Sequence, residues 1–235
     1  MLNNSYTKLR ETIHMQLTLC PHNVPCFFHS DIDLTNFHKL TKKARPTAYW
    51  TQAFSRALKK HPRVNAGFLR QRFVGGPAIV AWDEVSAAIS VDKKFGEERF
   101  PFSAVLRNSD QLSLAEINER LDYFIKQDVS NIKEFEGFLK FSNLPKWMKK
   151  FLMRQMTYSP EKLISKIGTF SITNPGKWGP QSAGTHSPRL LVCLGAPKDN
   201  VLPVTYNFNH IITDGAQIGE FHQDVKTIIE NVDFF

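Results

Sequence analysis

The chain has 235 residues, enough for one large domain or two small ones with a buried core. Hydrophobic residues make up 42% and charged residues 22%, which is ordinary for a globular protein and excludes wholesale disorder. No apolar run approaches the roughly 18 residues of a membrane-spanning helix, and the N-terminus lacks the apolar region of a secretory signal. Three cysteines are too few for a disulfide framework or a zinc site, so we expect a cytoplasmic location and no metal.

The chain is basic, with 30 Lys and Arg against 22 Asp and Glu and a net charge of +8. Such a balance favours an acidic partner, which includes nucleic acid, anionic lipid and phosphorylated ligands. The sequence has no zinc-finger, helix-turn-helix or RNP-type motif, and its 19 phenylalanines indicate a rich core rather than a base-stacking surface. We therefore expect no nucleic-acid partner.

The first part of the chain predicts an arm followed by short elements. Residues 1–24 form the arm, and residues 27–33 alternate as in a strand. Thr35 is a candidate N-cap for a short helix over residues 36–43. Apolar spacing then predicts a helix over residues 48–60, which His61 and Pro62 close.

The central part predicts strands and a well-capped helix. Short strands are expected over residues 78–82, 88–91 and 102–106. Ser113 and Glu116 have the spacing of a capping box, which predicts a helix from Leu114 to about Ser130.

A basic amphipathic stretch occupies residues 138–162, approximately. Between residues 140 and 154 it has no acidic residue and five basic ones: Lys140, Lys146, Lys149, Lys150 and Arg154. Its apolar residues recur at helical spacing: Leu144, Trp147, Met148, Phe151 and Leu152. We expect a surface helix whose apolar stripe packs on the body of the protein. The alternative is contact with an anionic membrane or with a partner such as an acidic carrier protein.

The last part of the chain predicts three strands and a helix. The strands are expected over residues 169–173, 189–194 and 204–209, with a loop rich in Gly and Pro over 174–188. The final helix covers residues 216–231, and His222 is expected to lie exposed on it. Phe234 and Phe235 are expected to fill a pocket, on another subunit. Since no repeat or linker appears, we expect a single α+β domain over residues 1–235.

The strongest chemical signal is the segment from Tyr206 to Gly215. A strand ends at His210, and histidine is the side chain best suited to accept a proton near neutral pH. Asp214 follows four residues later, and a carboxylate there fixes the geometry of a loop or orients an arginine. Gly215 permits a tight turn into the final helix. The pattern H-x-x-x-D-G is common by chance, and a lone histidine is more often structural than catalytic.

Other short motifs occur in the same chain in a recognisable order. They are Leu9–Ile13, Pro25–Phe27 with Asp33–Thr35, His61–Ala66, Ile89–Asp92 with Val105–Asp110 and Ser113–Ile117, and Gly168–Asn174. Together with the segment around His210, this series resembles the catalytic domain of the dihydrolipoyl acyltransferases of 2-oxo acid dehydrogenase complexes. It also resembles the related chloramphenicol acetyltransferases. The resemblance covers essentially the whole chain.

The resemblance implies a fold and an activity. The fold is an α+β, two-layer sandwich with a mixed sheet, assembled as a homotrimer or a larger assembly of trimers. The implied activity is acyl transfer between coenzyme A and an acceptor in a channel between subunits, with no permanently bound cofactor. The acceptor is a dihydrolipoyl group, a carrier-protein thiol or a small-molecule hydroxyl.

The resemblance also implies roles for the reacting residues. His210 is the general base that deprotonates the attacking thiol or hydroxyl. Thr173 donates a hydrogen bond to the tetrahedral oxyanion from a different subunit. Asp214 is structural and pairs with Arg10.

The same resemblance marks residues that lie near the substrate. Asn174 follows Thr173 and Asn209 precedes His210, and both asparagines are expected to contact the substrate. Trp178 is expected either to form a wall of the channel or to pack within the trimer.

The chain departs from the family pattern in three respects. The basic stretch over about residues 138–162 is an insertion, longer than the corresponding segment of the dehydrogenase cores. We expect no lipoyl domain or subunit-binding domain before the catalytic part. Asn209 and Ile211 stand where dihydrolipoyl acyltransferases usually have Asp and Arg, and Asn209–His210 replaces the His–His pair of the antibiotic enzymes. These departures motivate an alternative hypothesis, a lapsed family member that acts as an oligomeric scaffold.

Overall fold

A computed structural model of the chain describes residues 8, 12, 24–37, 44–70, 77–180, 182, 184 and 189–231. Within the predicted arm, Lys8 and Thr12 are helical, and the Thr12 hydroxyl donates to the Lys8 carbonyl at 2.8 Å. Arg10, the C-terminal phenylalanines and most of the helix predicted over 36–43 lie outside the described residues. The predicted capping role of Thr35 stays a prediction, because most of the helix that it would cap lies outside the described residues. The Thr35 N–H and hydroxyl both donate to Asp33 Oδ1, at 2.8 and 2.6 Å.

A mixed sheet of six strands forms the centre of the described structure, beside a separate two-stranded hairpin. The strands are Pro25–Asp33 (β1), Ala66–Arg70 (β2), Pro77–Ala81 (β3), Ala87–Phe95 (β4), Glu98–Leu106 (β5), Phe170–Thr173 (β6), Leu191–Leu194 (β7) and Val201–Asn209 (β8). The large sheet has the order β1-β8-β7-β6-β4-β5, and β2 pairs with β3. β6 is parallel to β4 and β7, while the other pairs are antiparallel.

Six α-helices accompany these strands in the described ranges. They are Pro46–Lys59 (α1), Leu114–Lys126 (α2), Lys133–Ser142 (α3), Lys146–Met156 (α4), Pro160–Ile167 (α5) and Gly215–Glu230 (α6). The capping box at the start of α2 forms as predicted, with Ser113 accepting from the Glu116 N–H. The basic stretch is divided between α3, α4 and α5. Pro145 separates α3 from α4, because proline disfavours helical backbone in the residue before it.

One face of the sheet packs against α1, α2 and α6. At its centre the rings of Phe54, Tyr206 and Phe221 lie 5.7–6.3 Å apart, centroid to centroid. His61, two residues after the end of α1, contacts Asp224 of α6 at 3.1 Å. This helical layer on a mixed sheet confirms the expected α+β class. None of the described helices is long and apolar enough to cross a membrane.

A second core cluster holds α3 at the β5 edge of the sheet. Phe100 and Phe102 of β5 pack with Phe124 of α2 and Phe135 of α3. The Phe100 and Phe135 rings stack with their centroids 5.5 Å apart. The start of the basic stretch is therefore anchored to the sheet through α3.

The orientation of α4 is the reverse of the expected one. Its buried side chains are Lys149 and Met153, whereas Trp147 is 68% and Phe151 55% exposed. The expectation that the apolar stripe packs on the body was wrong. Helical spacing identifies residues that share a face, but it does not decide which face the remainder of the protein covers.

His222 is also placed differently from the expectation of an exposed residue, since it is only 2% exposed. Its Nε2 lies 2.8 Å from Ser30 Oγ, and its Nδ1 lies 2.8 Å from the hydroxyl of Tyr206. Burial, with a contribution from the charge of Lys226, lowers the pKa of His222. A neutral imidazole therefore joins α6 to β1 and β8.

We predict that the free energy of unfolding decreases as the pH falls below about 6.5. The pKa of His222 is lower in the folded state, so the unfolded chain binds the proton first. Stability that is present above that pH is then lost, with a slope of at most about 1.4 kcal/mol per pH unit. Urea unfolding across this pH range measures the slope. His222→Gln removes the contribution, whereas His29→Gln, at an exposed histidine, retains it. Equal slopes in the two variants would contradict the prediction.

Candidate active site

His210 lies in the turn between β8 and α6, directly after the last strand residue. Its backbone N–H donates to the Val24 carbonyl at 2.8 Å, which extends the pairing of β1 with β8 by one residue. Its side chain is exposed, and the Phe208 ring lies 6.2 Å away, centroid to centroid. The backbone of His210 is thus fixed while its imidazole remains accessible to a substrate.

The side chain of Asn209 holds this turn together. It is 1% exposed, and its Oδ1 accepts from the N–H groups of Val24, at 3.2 Å, and Ile211, at 3.1 Å. The Asn209 carbonyl accepts from the N–H groups of Ile212 and Thr213. Because these bonds surround His210 on both sides, Asn209 fixes the position of the histidine backbone. Contact of Asn209 with a substrate stays a prediction.

Asp214 begins α6 as its N-cap. Its Oδ1 accepts from the Gln217 N–H at 3.2 Å, and Gln217 Oε1 accepts from the Asp214 N–H at 3.4 Å. The Thr213 hydroxyl also donates to Gln217 Oε1, at 2.7 Å. Sequence reasoning missed this role of Gln217, although a cap followed three residues later by Gln is a capping-box spacing. The predicted partner of Asp214, Arg10, lies outside the described residues.

The glycine after Asp214 is not required by the geometry of the described chain. Gly215 does not have a positive φ. A Cβ built on it would meet no described atom within 4 Å. The reason expected from the sequence, a tight turn, therefore does not explain Gly215 within one chain.

An open cleft of about 430 Å³ lies beside His210. One wall comes from the turn and the start of α6, the other from the turn after α1 and the β2–β3 hairpin. The lining residues are Pro62, Arg63, Ala66, Ile79, Ala81, His210, Ile211, Ile212, Thr213, Asp214 and Gln217. Arg63 adds a permanent positive charge to this cleft, and sequence reasoning did not select it.

Thr173 is the last residue of β6, and the start of that strand is fixed by a glycine. Gly168 has a φ of +70°, and a Cβ there would lie 2.6 Å from the Ser86 carbonyl oxygen. The next residue, Thr169, donates its N–H to the same carbonyl at 2.7 Å and accepts from the Ser86 N–H at 3.0 Å. These contacts set the register of β6 against β4.

A partly buried arginine lies on the same face of β6 as Thr173. Arg189 donates from Nη2 to Ser171 Oγ at 2.7 Å, and Ser171 is two residues before Thr173. Burial lowers the pKa of Arg189 to about 10, so the guanidinium remains charged near neutral pH. This cation was not selected from the sequence, where Arg189 is only the first residue of the strand predicted over residues 189–194.

Asn174 and Trp178 belong to the turn that follows β6. Asn174 Oδ1 accepts from the Gly176 N–H at 3.3 Å and caps the short 3-10 helix Pro175–Trp178. Trp178 is 67% exposed, and the Arg99 guanidinium lies 5.7 Å from the centre of its ring. Arg99 is in turn bonded to Asp92. This group lies at the Thr173 end of the sheet.

The strand register keeps Thr173 away from His210 within one chain. Thr173 is opposite Cys193 of β7, and Cys193 is opposite Thr205 of β8. His210 is five residues beyond Thr205, or about 17 Å along the strand, and β8 is two strands, or about 10 Å, from β6. The two groups are therefore about 20 Å apart. The structure brings His210, Asn209, Asp214 and Gly215 together, and it brings Thr173, Asn174 and Trp178 together at another place.

No protein-family model matches the chain. A curated relative is the dihydrolipoyllysine-residue succinyltransferase component of the 2-oxoglutarate dehydrogenase complex from Buchnera aphidicola subsp. Schizaphis graminum, 26% identical over 198 residues. The alignment covers 78% of this chain and 41% of that relative, so the chain spans about two fifths of its length.

Solved structures share the fold across nearly the whole chain. The dihydrolipoamide acetyltransferase of Azotobacter vinelandii has a TM-score of 0.68 and 15% identity, covering 99% of this chain and 92% of that one. A chloramphenicol acetyltransferase has a TM-score of 0.53 and 13% identity, covering 94% of both chains. The homologues and structural neighbours of the chain are dihydrolipoyl acyltransferases and chloramphenicol acetyltransferase. The resemblance and the chloramphenicol-acetyltransferase-like fold expected from the sequence are thus confirmed.

We predict that Gly168→Ala destabilises the acyltransferase-like fold by at least about 2 kcal/mol. The backbone conformation of Gly168 is strained for any other residue, and the added Cβ also clashes with the Ser86 carbonyl. Gly137→Ala is the matched control. Gly137 lies in α3 with open space around its Cβ, so this change stabilises by about 0.5–1 kcal/mol. Urea unfolding measures both values, and equal effects of the two substitutions would show that the β6 turn is not constrained as described.

Proposed function

We propose that this chain is an acyltransferase that moves an acyl group between coenzyme A and a thiol or hydroxyl acceptor. The site is assembled between subunits of a homotrimer, and coenzyme A is a substrate rather than a resident cofactor. The acceptor is a dihydrolipoyl group, a carrier-protein thiol or a small-molecule hydroxyl. We include a cytoplasmic location in this proposal.

In the proposed reaction, His210 removes the proton from the attacking thiol or hydroxyl. The resulting anion forms a bond to the thioester carbonyl carbon, and the carbonyl oxygen becomes an oxyanion. The Thr173 hydroxyl donates a hydrogen bond to this oxyanion. The tetrahedral intermediate then expels the leaving thiolate, which recovers the proton from His210. No covalent intermediate with the enzyme is needed, and the net charge is conserved.

The proposal rests on one observation, the fixed backbone and exposed side chain of His210. Its backbone is fixed by β1 and by the buried Asn209, while its imidazole is exposed beside an open cleft. A general base needs both a defined position and access to its substrate. Asp214 supports the position by capping α6, so we give it a positioning role rather than a proton-transfer role.

The separation of about 20 Å between His210 and Thr173 supports a site shared by two subunits. A base and an oxyanion donor act on one carbonyl only when both lie within a few ångströms of it. In a cyclic trimer, the His210 end of one chain meets the Thr173 end of its neighbour. Arg189, whose charge lies next to Ser171 on β6, adds positive potential to the same end.

The relatives support both the reaction and the reacting residues. The curated relative named above is a succinyltransferase component. In the Azotobacter vinelandii enzyme, the roles of a serine, a histidine and an asparagine four positions after that histidine in the catalytic mechanism have been investigated. His210 and Asp214 have the same spacing. Arg63 in the cleft suits an acyl group that ends in a carboxylate, as succinyl does.

We predict that the purified chain releases coenzyme A from an acyl-CoA only when an acceptor is present. A thiol-detection assay with succinyl-CoA and acetyl-CoA, each offered with dihydrolipoamide or simple alcohols, measures this release. Because His210 acts as the base, His210→Ala reduces the rate by a factor of about 10²–10⁴. His29→Ala, at an exposed histidine on β1, is the control and keeps the activity. A folded His210→Ala variant with full activity would refute the mechanism.

Mixed trimers test the shared site. His210→Ala and Thr173→Val are each expected to be impaired, the latter by a factor of about 10²–10³. Co-expression of the two variants pairs an intact His210 with an intact Thr173 in about one quarter of the interfaces, so activity is partly restored. A site within one chain would show no restoration.

An oligomeric scaffold is the competing function, and measurements on the same purified protein distinguish it from an acyltransferase. A scaffold has no acceptor-dependent release of coenzyme A and need not bind it. If no release is seen, calorimetry with coenzyme A separates the two cases, with light scattering to confirm the assembly. An enzyme whose acceptor was not tested still binds coenzyme A, whereas a scaffold need not.

A further inference from the structure

The helix α4 presents an apolar and basic surface to solvent. We call it the outer face of α4, and it consists of Trp147, Lys150, Phe151, Leu152 and Arg154. Trp147 and Phe151 are the two most exposed aromatic residues of this stretch, and Leu152 is exposed as well. The proposed acyl transfer uses none of these residues.

The geometry of α4 shows that the outer face is exposed because of its direction around the helix axis and not because one end of the helix is frayed. Successive residues of an α-helix are about 100° apart around the axis. The buried residues Lys149 and Met153 therefore define one direction, and Phe151 lies opposite the midpoint between them. The outer face is thus the side of α4 that points directly away from the protein.

Contacts on the inner side keep the helix in this orientation. Lys149 is buried, and its Nζ donates to the Ser142 carbonyl at the end of α3, at 3.3 Å. Met153 is buried on the same side, one turn later. Turning α4 to bury Trp147 and Phe151 would break both arrangements, so the apolar surface is held outward.

The charge along this stretch of the chain has one sign. Residues 137–160 contain five Lys and Arg residues and no Asp or Glu. Lys140 pairs with Glu136, but no ion pair between described residues involves Lys150 or Arg154. A partner of this face must therefore be negatively charged and must also accept aromatic side chains.

We propose that the outer face of α4 binds the surface of a membrane that contains anionic lipids. A helix with Trp, Phe and Leu on one side and Lys and Arg beside them lies in the plane of the lipid interface, where aromatic rings enter the headgroup region and the cations meet phosphates. The outer face is a convex ridge with Phe151 at its summit. A ridge of this form enters a deformable lipid surface directly, whereas a protein partner would need a matching groove. Binding of this kind is peripheral and holds the whole protein at the membrane.

Vesicle sedimentation with the full chain tests the proposal. Vesicles of phosphatidylcholine mixed with phosphatidylglycerol are compared with vesicles of phosphatidylcholine alone. We expect binding to the anionic vesicles, reduced about tenfold in Phe151→Ser because less apolar surface is buried. Lys150→Gln and Arg154→Gln each reduce it about fivefold. The matched controls are Ile125→Ser and Arg120→Gln, which remove an exposed apolar side chain and an exposed charge from α2, and they bind as the unmodified chain does.

Tryptophan fluorescence provides a second measurement. Trp147 is expected to shift its emission to shorter wavelength when the protein binds anionic vesicles, because the ring leaves water. Trp147→Phe keeps much of the binding and loses most of that shift, although three other tryptophans remain.

Several results would overturn the proposal. Equal binding to both vesicle types, or binding that the outer-face variants do not change, would exclude this surface as the membrane contact. A smaller assembly in Phe151→Ser, measured by light scattering, would show that the face is a contact between subunits. Binding of polyglutamate through the outer face, without binding of vesicles, would identify an acidic protein as the occupant. Acyl transfer is measured separately in each variant and is expected to be unchanged.

Discussion

β7 runs parallel to β6 and antiparallel to β8, and this difference in strand direction governs where the two halves of the proposed site lie. If β6 and β8 ended at the same end of the sheet, His210 and Thr173 would lie close together within one chain. Here the ends of β6 and β8 point in opposite directions, so each chain offers half of the proposed site at each end of its sheet. The proposed site is therefore complete only when chains meet, which makes assembly a precondition of the reaction.

The half-site at His210 combines a rigid backbone with an open side chain. Asn209 is buried and bonded to the backbone on both sides of the turn, while the capping box of Asp214 and Gln217 fixes the start of α6. Such an arrangement would limit the entropy lost when a substrate is bound, because the proposed base is already positioned. It also explains how Asn can replace the usual Asp before the histidine, since an amide oxygen accepts the same backbone bonds without a buried charge.

Patterns that act locally were predictable from the sequence. The α2 capping box, the strands near residues 87–106 and the end of β8 at Asn209 depend on neighbours along the chain. The orientation of α4 and the burial of His222 were not. These depend on tertiary partners such as Ser142 and Tyr206, which no local pattern reveals. Likewise, the distance between His210 and Thr173 follows from strand order, whereas motifs show only that both residues end strands.

Two hydrogen bonds link Tyr206, His222 and Ser30, and both run in the same donor-to-acceptor direction. The Tyr206 hydroxyl is buried and has His222 as its partner among the described residues, and burial raises its pKa, so it stays a donor. If it donates to Nδ1, the neutral ring carries its proton on Nε2 and donates to Ser30, which lies half-buried on the edge strand β1. The reverse order would leave the tyrosine proton without an acceptor inside the core. The buried hydroxyl of Tyr206 thus selects one tautomer of His222.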